Sequence, residues 1–373
     1  MSEEVLRSYL SRSMTTMYLL TGHGDFDDNL RMLKNCGVKF AGRAVYQWGR
    51  EEGGESALPA KLEVARKNAA RIHAMDPEMI LQACVFEIVS RDVEKLPVPA
   101  WAFEALGKPV ETRNFSYERM CYPSGRGRDQ WGAGASIPDV SQLETKLWFF
   151  YLAASYLEVG CEAVHFGQAE IMNGNDPGLD HWAEVLGLVR ARAAEHARRH
   201  FVMCDAHVPH GGLVREGKLL LDFHSFPLRI EEVADKPREG RLRVDYKDSI
   251  YGRSKGGITP SGWRCGSLPY LVEFDNYGRS KKPGEVGMGV HWVWGWDEIT
   301  WFSQQPEDYR NGWLRYAQRW VREQDGHLQM PGARCISGAA DGKRWYDVNR
   351  ASAAMPNGSG QEDTIREIWM ADE

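Results

Sequence analysis

The sequence predicts an α/β protein, a (β/α)8 TIM barrel with long insertions in the loops that follow its strands. Short apolar segments alternate with longer amphipathic ones along the chain, as in parallel sheets whose strands are joined by helices. The predicted first turn reads GHGD rather than G-x-G-x-x-G, and G-x-x-x-x-G-K-[ST] is absent, which disfavours a dinucleotide-binding or P-loop fold. One barrel accounts for a chain of 373 residues. We therefore expect a single domain over residues 1–373, with a doubly wound sheet as the alternative.

The first half of the chain is predicted to contain four strands, at residues 17–21, 39–47, 79–89 and 161–167. Apolar residues at helical spacing predict helices between them, and Gly37 fits the end of the first such helix. Leu58 to Ile72 carry one apolar helix face. Ser141 and Glu144 have the spacing of a capping box, which predicts the start of the helix before the fourth strand.

The second half is predicted to contain strands at residues 200–205, 218–224, 270–274 and 327–336, although Pro331 and Gly332 weaken the last one. Helices are predicted around residues 182–193 and 307–324. Residues 109–140 and 226–268 contain no strong periodicity. We interpret these two segments as insertions rather than separate domains.

Composition and charge exclude several classes of partner. The chain has 46 Lys plus Arg and 52 Asp plus Glu, a formal charge of −6, which argues against a nucleic-acid-binding surface. No apolar run approaches ~18 residues, so we expect no membrane span. The N-terminus has no signal-peptide pattern, so the expected compartment is the cytoplasm. Seven widely spaced cysteines are typical of core residues rather than of a zinc site or a disulfide framework, and no cofactor is expected.

In a barrel of this kind the active site lies at the carboxyl ends of the strands. Polar side chains therefore become candidates when they lie at or just after a predicted strand. The fourth to seventh predicted strands end in such residues, namely Gln168, Glu170, Asp205, His207, His224, Glu273 and Asp275.

Tryptophan supplies the clue to the substrate. Trp48 follows the second predicted strand, and Trp292, Trp294 and Trp296 alternate in the loop after the seventh. If that loop is extended, its three rings point to one side. Flat apolar rings with polar edges suit the C–H faces of sugars, so we expect a carbohydrate substrate, although the rings could also form a satellite cluster under a long loop.

Two carboxylates supply the clue to the chemistry. Hydrolysis of a glycosidic bond uses an acid and either a nucleophile or a base on the two sides of that bond. Glu170 and Glu273 are candidates because their strands lie across the predicted barrel mouth from each other. Glu273 stands between Val272 and Phe274 in a buried strand, where an unused charge would be costly.

The segments CEAVHFGQAE (161–170) and PYLVEFD (269–275) resemble strands four and seven of the retaining TIM-barrel glycoside hydrolases of the cellulase and β-galactosidase clan. The resemblance implies that Glu170 is the acid/base and Glu273 the nucleophile, and it implies a role for His224. The clan has Asn directly before its acid/base Glu, whereas this chain has Ala169. Gln168 is the candidate to contact the sugar 2-hydroxyl instead.

Two other hypotheses remain open at this point. Asp205 and His207, like Asp222 and His224, have an Asp-x-His spacing on neighbouring strands, which would suit a metal-dependent hydrolase. A barrel that binds carbohydrate without cleaving it would keep the tryptophans but would not need a working carboxylate pair.

Overall fold

The computed structural model describes residues 1–49, 54–289, 291–339 and 342–371. Its strands are β1 (Ser13–Thr16), β2 (Phe40–Tyr46), β3 (Ile80–Cys84), β4 (Val89–Ser90), β5 (Ala135–Ser136), β6 (Ala163–His165), β7 (Met203–Asp205), β8 (Val214–Arg215), β9 (Lys218–Leu219), β10 (His224–Pro227), β11 (Glu231–Glu232), β12 (Gly240–Arg241), β13 (Gly257–Ile258), β14 (Arg264–Cys265), β15 (Tyr270–Glu273), β16 (His327–Leu328), β17 (Met330–Cys335) and β18 (Trp345–Asp347).

The α-helices alternate with the central strands for most of the chain. They are α1 (Glu3–Ser11), α2 (Phe26–Cys36), α3 (Leu58–Met75), α4 (Ala100–Ala105), α5 (Tyr117–Met120), α6 (Leu143–Val159), α7 (Asp180–His196), α8 (Glu298–Ser303), α9 (Glu307–Glu323) and α10 (Glu362–Ala371). Among the described residues, no helix is long and apolar enough to cross a membrane.

The protein has a mixed α/β fold built on a mostly parallel sheet. This sheet has the order β18-β17-β1-β2-β3-β6-β7, and only the β17–β18 pair in it is antiparallel. A second sheet, with the order β10-β15-β16, is parallel throughout. The α/β class predicted from the alternating pattern is therefore confirmed.

Hydrogen bonds connect the two sheets at two places. His207 and Ser225 form a parallel bridge just beyond β7, where the Ser225 N–H donates to the Ala206 carbonyl at 3.2 Å. At the second place only Gln329 separates β16 from β17, and its N–H donates to the Val272 carbonyl at 2.7 Å. The pairing thus continues from β7 to β10 and from β15 through β16 and β17 to β1.

Polar side chains from both sheets face each other below the carboxyl ends of the strands. Asp205 accepts hydrogen bonds from Gln82 Nε2 at 2.8 Å and Ser225 Oγ at 2.8 Å, and its other contact is His165 Nδ1 at 2.7 Å. Thr15 Oγ1 donates to Gln329 Oε1 at 3.0 Å in the same region. We call these six residues the polar layer.

Several predicted elements agree closely with the structure. Helix α2 begins after Asp25, whose carboxylate accepts from the Asp28 N–H at 2.8 Å, and it ends at Gly37 with φ +76°. Helices α7 and α9 cover the predicted segments, and β2, β15 and β16–β17 lie within one or two residues of the expected bounds. In these elements one face is buried, so apolar residues recur at the regular spacing on which the prediction depends.

Three local predictions are wrong. The first strand is residues 13–16, because the chain turns at Tyr18, where φ is +58°. Lys218 belongs to a small side sheet with Val214, and the strand beside β15 is instead residues 224–227. Glu144 does not cap α6, because its carboxylate is bound by Arg113 and by the Ser116 N–H.

Candidate active site

A cavity of about 620 Å³ opens at the carboxyl ends of the central strands. Its walls are formed by residues at the end of a strand or in the loop after it, as expected for ligand sites in parallel α/β proteins. Its lining includes Arg43, Trp48, Phe86, Glu87, Trp131, His165, Gln168, His207, Glu273, Asp275, Asn276, Tyr277, Arg279, Trp292, Arg334 and Cys335.

Glu273, the last residue of β15, is held by two guanidinium groups. Arg43 donates through Nε at 2.8 Å and also through Nη2, and Arg334 Nη1 donates at 3.1 Å. Burial raises the pKa of this carboxyl, but Arg334 and Arg43 outweigh burial and lower it well below its ordinary value. Glu273 is thus a buried carboxylate that stays ionised at the base of the cavity.

The local backbone of β2 places Arg43 beside this carboxylate. The pairing of β2 with β3 shifts register between Ala41 and Val45, and Arg43 itself has φ +57°. A bulge of this kind re-aims a side chain at the end of a strand. Neither Arg43 nor Arg334 was a sequence-based candidate, because only the sheet pairing brings them to Glu273.

Glu87, just after β3, is the second carboxylate of the cavity and was not among the predicted site residues. The Gln168 backbone N–H donates to its Oε2 at 2.8 Å, and Gln168 Nε2 donates to its Oε1 at 2.9 Å. A Cβ at position 167 would lie 2.1 Å from Glu87 Oε2, so Gly167 makes this approach possible. The signal available in the sequence was an acidic residue inside an otherwise apolar predicted strand, residues 79–89.

Asp275 is the third carboxylate of the lining, and a cation already occupies it. Arg229 Nη1 donates to its Oδ2 at 2.7 Å. Burial raises the pKa of Asp275, but Arg229 outweighs burial and lowers it. The same guanidinium also binds Asp248. Asp275 therefore acts as an ionised partner of Arg229 at the cavity wall.

Glu298 lies behind Asp275 and is bound differently. It is 2% exposed, and its carboxyl accepts from the Ile230 N–H at 3.2 Å and the Asp275 N–H at 2.9 Å. Burial raises the pKa of Glu298 to about 7. Its neighbour Asp297, the N-cap of α8, has a pKa that burial also raises to about 7.

Glu170 lies in a short 3-10 helix, Ala169–Ile171, and is not among the cavity-lining residues. Its carboxylate contacts His210 Nδ1 and accepts from the His210 backbone N–H at 3.3 Å. The His210 side chain is exposed to solvent. The structure therefore brings Gln168 and Glu273 to one cavity. Glu170, two residues after Gln168 in the chain, does not line it.

The predicted histidines have different surroundings. His207 lines the cavity, and burial together with Arg229 lowers its pKa to about 4. His224 is buried away from the lining, with Nδ1 2.9 Å from Ser254 Oγ, and burial lowers its pKa to about 3. The expectation that His224 contacts substrate is not supported, because its ring faces the segment around Gly212.

The two Asp-x-His pairs do not come together as metal ligands. Asp205 belongs to the polar layer, whereas Asp222 accepts from Arg190 at 2.8 Å and from the Cys204 N–H at 2.9 Å. Within the described ranges, no group of three or more His, Cys, Asp or Glu side chains is placed to hold a metal ion.

Aromatic rings form part of the cavity wall. Trp48 packs edge-on against Phe86 and Trp131, with ring centroids 5.4 Å and 5.5 Å apart. Trp292 joins the lining from the loop after β15, and its Nε1 donates to the Tyr277 carbonyl at 3.3 Å. Among the predicted substrate-binding tryptophans, Trp48 and Trp292 therefore face the cavity.

The expectation that Trp292, Trp294 and Trp296 share one side is wrong. The chain turns at Trp294, where φ is +51°, and Val293 bridges back to Trp296. Trp294 and Trp296 are each 6% exposed, and Trp294 Nε1 donates to the Glu239 carbonyl at 2.8 Å. Both rings pack beneath the loop and do not line the cavity.

No family model matches the chain, and no curated protein sequence matches it. It is similar in structure to the debranching enzyme of Nostoc punctiforme, with a TM-score of 0.45, 10% identity, and coverage of 98% of this chain and 80% of that one. It is also similar to a GH2 β-galacturonidase from Eisenbergiella tayi, with a TM-score of 0.42, 10% identity, and coverage of 96% and 50%.

A further similar structure is a Bacteroidetes-affiliated GH5 cellulase, with a TM-score of 0.38, 11% identity, and coverage of 98% of this chain and 93% of that one. Structures of several glycoside hydrolases are thus similar to this chain, as the predicted resemblance implies, but none is similar enough to indicate its function.

Proposed function

We propose that the protein is an enzyme that hydrolyses a glycosidic bond in the cavity at the strand ends. The observation that carries the proposal is Glu273, an ionised carboxylate fixed by Arg43 and Arg334 at the base of the cavity. Trp48 and Trp292 provide apolar faces in the same space, which suits a ring with C–H patches and peripheral hydroxyl groups. A carbohydrate is therefore the proposed substrate.

We further propose that the two sheets close a single (β/α)8 barrel. Support comes from the bridge between His207 and Ser225 at one place and from the Gln329 N–H bond to Val272 at the other. A closed barrel has no unpaired edge strands, and it collects the carboxyl ends of its strands around one opening. The cavity lies at such an opening.

In the proposed mechanism Glu273 is the nucleophile. A nucleophilic carboxylate must be ionised before it attacks the anomeric carbon, and the two arginines stabilise that state. Attack forms a covalent glycosyl–enzyme intermediate and expels the leaving-group oxygen, which takes a proton from an acid. Water, deprotonated by the same acid/base residue, then releases the sugar with retained configuration.

Glu170 and Glu87 compete for the role of acid/base, and we assign it to Glu170. Both oxygens of Glu87 accept N–H bonds from Gln168, so this carboxyl is already engaged within the protein. Glu170 instead contacts the ring of an exposed histidine, through which a proton can exchange with solvent. The retaining mechanism requires the Glu170 side chain to turn toward Gln168 and its carboxyl to reach about 5–5.5 Å from Glu273.

The other lining residues are proposed to bind and orient the sugar. Gln168 acts mainly by holding Glu87, which can then accept from sugar hydroxyl groups. His207, kept neutral by its low pKa, can donate to or accept from a hydroxyl. Asp275 and Asp205 act indirectly, by fixing Arg229 and His165 at the cavity boundary.

The test is hydrolysis of a panel of aryl glycosides in both anomeric forms, with the first-formed product anomer read by NMR. We expect turnover with retention, no turnover by Glu273→Ala, and recovery with azide as a glycosyl azide of inverted configuration. Glu55→Gln is the matched control, since Glu55 is a buried glutamate that Ser90 binds outside the cavity. Undiminished hydrolysis by Glu273→Ala would overturn the assignment of Glu273 as the nucleophile. Sugar binding without turnover of any glycoside would instead indicate a carbohydrate-binding protein.

A further inference from the structure

We infer that the sugar in this cavity carries an anionic substituent, a carboxylate or a phosphate, and that Arg279 binds it. The inference rests on the proposed function, because it names the substrate class of the same site. Arg279 lies in the loop after β15, and its side chain lines the cavity while it remains exposed to solvent. Of the three arginines in the lining, Arg279 is exposed, whereas Arg43 is partly buried and Arg334 is buried.

Backbone pairing fixes the part of the loop that carries Arg279. Its backbone bridges to Trp296, and the next residue, Ser280, donates its N–H to the Gly295 carbonyl at 2.8 Å. The guanidinium lies against Gly338, where a Cβ would be 2.2 Å from Arg279 Nη1. The guanidinium therefore lies over this glycine beside the cavity.

Among the residues that the structure describes, no carboxylate lies within ion-pair distance of Arg279. The carboxylates of the lining are engaged elsewhere. Glu273 is bound by Arg43 and Arg334, and Asp275 is bound by Arg229. Arg279 is therefore a cation of the lining whose N–H donors are available to a ligand.

The remaining acidic groups of the region are held by other donors. Glu87 accepts from Gln168, and the deeper Asp205 is held in the polar layer, so neither carboxylate contacts Arg279. A guanidinium presents paired N–H donors that match the oxygens of a carboxylate or phosphate. An anionic group on the sugar would supply the missing partner.

Aromatic neighbours place this cation beside a surface for the sugar ring. Tyr277 and Trp292 line the same part of the cavity, and the Trp292 Nε1 bond to the Tyr277 carbonyl links the two residues. A ring packed on these side chains can direct one substituent to Arg279. The arrangement thus selects for charge as well as for shape.

The experiment compares matched aryl glycosides that differ in one substituent: glucosides and galactosides, the corresponding uronides, and the corresponding 6-phosphates. We measure kcat and KM for the wild type, Arg279→Gln and Arg279→Lys. We expect one acidic series to be preferred, and Arg279→Gln to lower its kcat/KM by roughly a hundredfold, mainly through KM. Arg279→Lys should restore part of the loss because the charge returns without the planar fork.

Lys282→Gln is the matched control, since it removes one positive charge from the same loop. Lys282 is exposed, pairs with Glu285 and does not line the cavity, so the preference for acidic sugars should persist. A wild-type preference for neutral glycosides, or an equal effect of Arg279→Gln on both series, would overturn the inference while leaving hydrolysis established.

If the wild type cleaves no glycoside in the panel, the proposed hydrolytic function is wrong. The preference for acidic sugars is then tested separately by a binding measurement. Calorimetry with glucuronate, galacturonate, glucose and galactose would then be performed on the wild type and Arg279→Gln. Tighter binding of the acids that is lost in Arg279→Gln supports the inference, and equal binding of acids and neutral sugars contradicts it.

Discussion

The base and the rim of the cavity are built in different ways. At the base, Arg43, Glu273 and Arg334 come from three strands, and both guanidinium groups donate to the Glu273 carboxylate. At the rim, the loop that carries Trp292 is held mainly through its backbone, because Lys247 Nζ donates to the Trp292 carbonyl at 3.0 Å. Glu232 holds the same loop by accepting from the Trp294 N–H at 2.7 Å.

This difference predicts how each region responds to substitution. Removing one charge from the base leaves another charge buried without its partner, which is strongly destabilising. Removing a ring from the rim deletes a contact surface and leaves the backbone bonds in place. The base should therefore control chemistry and stability together, whereas the rim should control substrate binding.

The largest effect is expected for Glu273→Gln. We expect kcat to fall by on the order of ten-thousandfold or more, because the nucleophile is lost. We also expect the free energy of unfolding to fall by about 3–5 kcal/mol, because Arg43 and Arg334 lose their shared anion. Steady-state kinetics and urea denaturation measure the two quantities, with Glu55→Gln as the control for loss of a buried carboxylate elsewhere. A fully stable variant would show that the base is not an ion-pair cluster.

The next effect separates Glu170 from Glu87. With Glu170→Gln, hydrolysis of glycosides with poor leaving groups should fall by about a hundredfold to ten-thousandfold, since protonation is lost. Glycosides with good leaving groups should be much less affected in the first step. If Glu87→Gln shows this dependence on the leaving group and Glu170→Gln does not, the acid/base role moves to Glu87.

A smaller effect concerns pH and the buried carboxyl of Glu298. Its pKa is raised from 4.5 to about 7, so the stability that its protonated form contributes is complete below pH 4.5 and is lost as the pH rises toward 7. Glu298→Gln should reduce the pH dependence of the unfolding free energy over this interval by about 3 kcal/mol. Denaturation curves at several pH values measure it, and an unchanged profile would contradict the burial of an acid at this position.

The smallest effect on activity is expected at the rim, where two tryptophans of one loop can be compared. Trp292→Ala should raise KM about tenfold and change stability little, because its ring lines the cavity. Trp294→Ala should instead lower the unfolding free energy by about 3 kcal/mol, because its ring is buried beneath the loop. The reverse assignment of the two effects would show that the loop is arranged differently in solution.

The parts of the fold that the sequence predicts well are those governed by local pattern. Helix α2 has an Asp at its start, a regular apolar face and Gly37 at its end, and each feature acts within a few residues. The capping box at Ser141 failed because a distant residue, Arg113, binds Glu144 more effectively than the helix terminus does. A short strand such as residues 224–227 depends on its neighbour β15 and has little pattern of its own.

In the candidate site, too, residues marked by local sequence were predicted and residues brought in by distant strands were not. Glu273 and Gln168 were found because polar residues at the end of apolar strands are conspicuous in a sequence. Arg43 and Arg334 were not, because nothing near them in the chain indicates that they meet at residue 273. The rim was predicted from alternation at Trp292, Trp294 and Trp296, and a single left-handed residue broke that alternation.

The polar layer has a consequence for how the chain finds its register during folding. Asp205 contacts side chains on three neighbouring strand segments, and each contact exists at one alignment of those segments only. A slip of one residue would turn Gln82 or Ser225 away and leave a buried carboxylate without donors. Apolar residues in these positions would tolerate such a slip more readily. The layer therefore makes misaligned strands energetically costly, so the sheet that carries the cavity has one preferred register.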